Sequence, residues 1–81
     1  MSAAPGADVQ PVEVDARGMR CPWPVLRAAR AMRDHVAVLI RADDPIAGGE
    51  LQALAGERGW TFAAVGEHAF LLRAGGGGPL P

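Results

Sequence analysis

Val12-Glu13-Val14-Asp15-Ala16-Arg17-Gly18-Met19-Arg20-Cys21-Pro22-Trp23-Pro24-Val25-Leu26 changes its apolar period part-way along, and that change decides the fold class. Val12 to Asp15 alternates apolar and polar residues and uses β-branched side chains, which predicts a short half-buried strand. Gly18 supplies a turn. From Pro22 onward Val25, Ala28, Ala29 and Met32 recur at three- and four-residue spacing, with Arg27, Arg30 and Arg33 on the opposite arc. That spacing predicts an amphipathic helix ending near Asp34. Pro22 and Pro24 are tolerable at its start because the N–H groups of a first turn have no intrahelical acceptor.

Further along, Val36-Ala37-Val38-Leu39-Ile40 is a near-continuous apolar run that predicts a strand buried on both faces or central in a sheet. Asp43-Asp44-Pro45 then reads as a capping carboxylate with proline at the first helical position. Ile46, Leu51, Leu54 and Ala55 form the apolar stripe of that second helix, and Gly59 stops it. Gly48 and Gly49 weaken its first turn by about 1 kcal/mol each relative to alanine. Trp60 to Val65 and Ala69 to Arg73 read as two strands, joined at Gly66-Glu67-His68 in a short hairpin.

The element order is therefore β-α-β-α-β-β. A right-handed crossover through the first helix makes the first two strands parallel, which sets the loops at 15–21 and 43–45 on one edge of the sheet. Function is expected at that edge. The small, Gly/Pro-rich segments 1–9 and 74–81 read as flexible tails, leaving 10–73 as one folded domain.

Composition narrows the function classes. A formal net charge of −1 and a pI near 6.0 supply no global attraction for a polyanion, so no direct nucleic-acid contact is expected. The longest apolar run, Val36 to Ile40, is far too short to span a bilayer, so no membrane association is expected. Cys21 is the only cysteine, which excludes an intrachain disulfide, and the first residues carry no secretion-signal pattern. A cytoplasmic monomer is the expectation. One cysteine with two scattered histidines does not make metal-ligand spacing, and no metal or cofactor is expected.

Charge placement says more than net charge. All eight basic residues are arginine, and Arg17, Arg20, Arg27, Arg30 and Arg33 surround the cysteine. A lone cysteine in a small cytosolic protein is often inert core filler. Cys21, however, stands between Arg20 and Pro22 at an element boundary, where exposure is expected. The positive end of the helix dipole, the N–H groups of Trp23 and Val25, and Arg17 and Arg20 together predict a thiol more acidic than an ordinary cysteine. His35 and His68 are poorly placed to serve as its base.

The stretch from Asp15 to Leu26, with its Cys-Pro-x-Pro core opening the first helix directly after the first strand, resembles the signature of the TusA family, also called SirA-like proteins. The resemblance runs on through Ala42-Asp43-Asp44-Pro45, Glu50-Leu51, Gly59 and the final hairpin, covering about Val12 to Arg73. It implies an α+β fold: a two-layer α/β sandwich with two helices packed on a four-stranded mixed sheet. It also implies a sulfur carrier, in which Cys21 takes sulfane sulfur as a persulfide from a cysteine desulfurase or rhodanese-like donor and passes it to an acceptor protein. Routes served in the family include tRNA thiolation, molybdenum cofactor formation and sulfur oxidation. By position, Pro22, Pro24 and Gly18 frame the site.

Arg17, Arg20, Trp23, Arg27, Arg30, Asp43 and Asp44 are the candidate partner-binding residues. Most of them have a plainer role: Arg27 and Arg30, with Arg33, as a solvated helix face rather than a docking face for an acidic protein or tRNA, Asp43 and Asp44 as helix caps, Trp23 as local packing rather than an interface anchor. Trp60 is assigned to the core. Two features depart from the family pattern: the link from Met32 to Val36 is short, and Trp23 stands where relatives often have a carboxylate. A different reading of the same cysteine is a noncatalytic redox sensor or haem-thiolate module; a third keeps the motif and carries selenium.

Overall fold

The computed structural model describes residues 10–75. Its elements are β1 (Val12–Asp15), α1 (Trp23–Met32), β2 (Ala37–Arg41), α2 (Ala47–Arg58), β3 (Thr61–Gly66) and β4 (Ala69–Arg73). The sheet runs in the order β1-β2-β4-β3, with β1 parallel to β2 and the other pairs antiparallel. The result is the α+β architecture of two helices on a four-stranded mixed sheet.

Register explains which residues face the helices. Val12 and Val14 of β1 lie opposite Val38 and Ile40 of β2, and these lie opposite Leu72 and Phe70 of β4. Because side chains alternate between faces, these apolar residues share one side of the sheet. Ala28 and Met32 of α1 and Leu51 and Ala55 of α2 close over them. Fully burying a side chain such as Ile40, Leu51 or Leu72 contributes about 2–3 kcal/mol each. Phe62 and Phe70 stack at 5.9 Å, extending the core across the β3–β4 pair.

Several local expectations shift. β2 begins at Ala37, and Val36 stays outside it, 56% exposed. The second helix starts later than Asp43: Ile46 is the N-cap, with no side-chain capping bond, and Ile46 itself is exposed rather than part of the apolar stripe. Gly59 does end α2, in the left-handed region at φ 74° where a side chain is strained. Trp60 sits half-buried at the core's rim with the Arg58 guanidinium 5.5 Å from its ring. Pro24 is fully buried on the inner face of α1, so it packs as well as starts the helix.

The expected tails lie outside the described residues except for Ala74 and Gly75. The N–H of Ala74 donates to the Val36 carbonyl at 2.8 Å.

Candidate functional site

Parallel pairing of β1 and β2 carries both strands toward the same edge, and the loops that follow them are joined there. After Asp15 the Ala16 N–H donates to the Arg41 carbonyl at 2.7 Å, continuing the parallel ladder by one residue. The chain then turns through Gly18, at φ 83°, and reaches Cys21 immediately before α1.

Two consecutive carboxylates fasten this loop to the one after β2. Asp43 Oδ1 accepts the Gly18 N–H at 2.9 Å, and Asp44 Oδ2 accepts the Cys21 N–H at 2.8 Å. The second oxygen of Asp44 accepts the Ile46 N–H at 3.2 Å, and its carbonyl accepts the Ala47 N–H at 2.9 Å. Asp43 therefore bridges the two loops rather than capping α2, while Asp44 does both: one oxygen reaches across to Cys21 and the other caps the turn that leads into α2.

The arginines do not all face the sulfur. Arg17 folds back on Asp15, with Nε and Nη2 each 2.9 Å from a carboxylate oxygen, and this holds the Asp15 carboxyl well below the usual carboxylate range. Arg20 has no ion pair among the described residues, and its charge helps keep Asp44 ionised, after the larger effect of the Cys21 and Ile46 amides.

Cys21 is free and half-buried. Its environment reverses the expected acidity. Burial pushes the thiol up from its ordinary value, and the negative charges of Asp44 and Glu50 push it further. The expected activation fails for structural reasons. Arg17 is engaged by Asp15, and the Trp23 N–H is taken by the Arg20 carbonyl at 2.9 Å. The charged groups that raise the thiol are the carboxylates of Asp44 and Glu50. Sequence reading saw the cations because they are adjacent in the chain; it missed Asp44 and Glu50, which are adjacent only in space.

A shallow groove runs along α1 and β1, and it takes in Trp23, two residues after Cys21. Val14, Met19, Trp23, Leu26 and Ala31 give it an apolar floor, with Arg27 and Arg30 among its lining. Trp23 is 59% and Leu26 50% exposed, so neither is used up by the core. Trp23 thus does not fold back into local packing.

The sheet order brings one further element to the same edge. β4 pairs antiparallel with β2, so the hairpin turn before it lies beside the end of β2, and the His68 carbonyl accepts the Ala42 N–H at 3.0 Å. Sequence alone placed His68 in a turn and could not say which strand that turn would adjoin. Among the described residues no group of three or more His, Cys, Asp or Glu side chains converges as metal ligands would.

A lone half-exposed cysteine in a Cys-Pro-x-Pro helix start, at the edge of a β1-β2-β4-β3 sheet, agrees with the family comparison: the sequence model described as sulfurtransferase TusA matches residues 12–74. The chain belongs to the TusA family. No curated protein matches it by sequence. The matched span takes in every strand and both helices, so TusA-family membership covers the whole described fold and not the cysteine motif alone. Membership brings with it a sulfur-carrier role and dealings with sulfur donors and acceptors in general. Among the described residues no helix is long and apolar enough to cross a membrane.

Proposed function

We propose that Cys21 carries sulfane sulfur as a persulfide between a donor protein and an acceptor protein. The observation that carries this reading is the position of the chain's only cysteine: half-exposed, at the helix start of a TusA-family fold, with no second thiol to discharge it. The Cys21 thiolate attacks the outer sulfur of a donor persulfide. A new S–S bond forms to Cys21, the donor's S–S bond breaks, and the donor leaves as a thiolate. An acceptor thiolate then attacks the outer sulfur of Cys21-S-SH and releases Cys21 in the same way. No net oxidation occurs in either exchange.

Transfer without an internal resolving cysteine requires close docking of each partner. The groove along α1 is suited to that: Trp23 and Leu26 offer apolar surface, and Arg27 and Arg30 carry charge with no ion pair among the described residues. An acidic rim around an apolar contact on the donor, a cysteine desulfurase or rhodanese-like protein, complements it. A cytoplasmic setting and service to tRNA thiolation, molybdenum cofactor formation or sulfur oxidation belong to this same reading.

Incubation with a cysteine desulfurase and cysteine, followed by intact-mass and peptide mass spectrometry, should show one added sulfur on Cys21 that is absent from Cys21→Ser. No added sulfur from either a desulfurase or a rhodanese donor overturns the proposal.

A further inference from the structure

The feature of the site that sulfur carriage does not explain is the carboxylate fixed against the reacting cysteine. Asp44 is pinned at three points: Oδ2 by the Cys21 N–H at 2.8 Å, Oδ1 by the Ile46 N–H at 3.2 Å, and its carbonyl by the Ala47 N–H at 2.9 Å. It cannot swing away without breaking the join between the loop before α1 and the loop before α2. Its negative charge is therefore a permanent part of the thiol's surroundings.

The other charges near the loop do not cancel it. Glu50, in the first turn of α2, adds to it, while Asp43 is bound to the Gly18 amide and Arg17 is bound to Asp15. Arg20, exposed and without an ion pair among the described residues, is the one cation of the loop left to oppose it. A carboxylate at this position accepts two backbone amides at once, one on each oxygen, and the charge that comes with it opposes thiolate formation at the residue it tethers.

We propose that Asp44 is a positioning residue that holds Cys21 in place through its backbone amide and keeps it chemically quiet in the undocked carrier. The inference rests on reading Cys21 as the reacting sulfur. In the free protein the sulfur stays a thiol, protected from adventitious alkylation and oxidation. Asp44→Asn removes the charge and leaves one oxygen that can still accept the Cys21 N–H, the bond to the Ile46 N–H being given up.

The test is the pH dependence of Cys21 alkylation by iodoacetamide, a neutral reagent, in the wild type, Asp44→Asn and Asp43→Asn, with circular dichroism to follow the fold. Asp44→Asn should shift the rate profile to lower pH and react roughly threefold faster at pH 7, with Asp43→Asn changing it less. A profile for folded Asp44→Asn that superimposes on the wild type overturns the proposal, as does an equal shift from Asp43→Asn. The wild type alone gives a second check that needs no variant. Its alkylation midpoint when folded should lie above that of the same chain unfolded in urea, and a folded midpoint at or below the unfolded one also overturns the proposal. Neither readout involves a sulfur donor, so failure of persulfide loading and failure of this inference are distinguishable.

Discussion

The backbone N–H of Gly18 donates to the carboxylate of Asp43 at 2.9 Å, joining two loops that are distant in the chain and adjacent at the sheet edge. Gly18 adopts φ 83°, and the space where its Cβ would stand is open. The residue is constrained by backbone conformation, not by crowding.

That distinction makes a prediction about site stability. Gly18→Ala should cost about 1 kcal/mol through the left-handed conformation alone. Asp43→Ala should cost about 0.5–1.5 kcal/mol by removing the acceptor, and Asp43→Asn, which keeps one, should cost less. Urea midpoints read all three. An Asp43→Asn loss equal to that of Asp43→Ala would show that the Gly18 bond is not what the carboxylate supplies.

Acid should unfold the protein late. The Asp15 carboxyl lies well below the usual range because of Arg17, and that of Asp44 is lowered by the amides of Cys21 and Ile46. Both groups have a folded-state value below the unfolded one, so their stabilisation is complete above the ordinary carboxylate value of about 4 and is lost as pH falls below it. The urea midpoint should hold from pH 7 to pH 5 and decline below pH 4, with a shallower decline in Asp15→Asn and Asp44→Asn. A decline already complete by pH 5 would contradict this assignment.

At the alkaline end the sign reverses. Burial, Asp44 and Glu50 raise the Cys21 thiol above its unfolded value, so the unfolded chain loses its proton first. This contribution is fully present below the ordinary thiol value of about 8.5 and is lost as pH rises through the folded one. Cys21→Ser should therefore show a flatter stability profile above pH 8 than the wild type. Parallel profiles would mean the folded environment leaves the thiol unchanged.

These contacts also mark where sequence reasoning reaches its limit. Strand and helix identities were legible because Val12-Glu13-Val14-Asp15 alternates and Val25, Ala28 and Met32 recur at helical spacing, both of which are local signals of burial. The shared edge of the two loops followed from crossover handedness. The role of Asp44 did not follow, because a carboxylate before a helix has the same chemistry whether it only caps the turn into its own helix or also accepts an amide from Cys21. Arg17 was misread for a similar reason: proximity in sequence to Cys21 counted for less than the Asp15 carboxylate two residues away. The place of His68 depended on β4 entering the sheet beside β2, a long-range pairing that no local pattern encodes.

The glycines of α2 give the last prediction, since sequence treats them alike and the structure does not. A Cβ on Gly48 would stand 3.0 Å from Cε1 and 3.2 Å from Cζ of Phe70, whereas one on Gly49 or Gly56 meets nothing within 4 Å. Phe70 is packed against the core and stacked on Phe62, so its ring has little room to retreat. Gly56→Ala, within the helix, should stabilise by about 0.5–1 kcal/mol through helix propensity and a less free unfolded chain. Gly48→Ala gains the same propensity but forces the ring to shift, and overpacking of this kind costs about 1–3 kcal/mol, so the net effect should be zero or destabilising. Thermal midpoints should rise for Gly56→Ala and not for Gly48→Ala. Equal rises would show that Phe70 yields freely, and that the early glycine of α2 is not there to admit its ring.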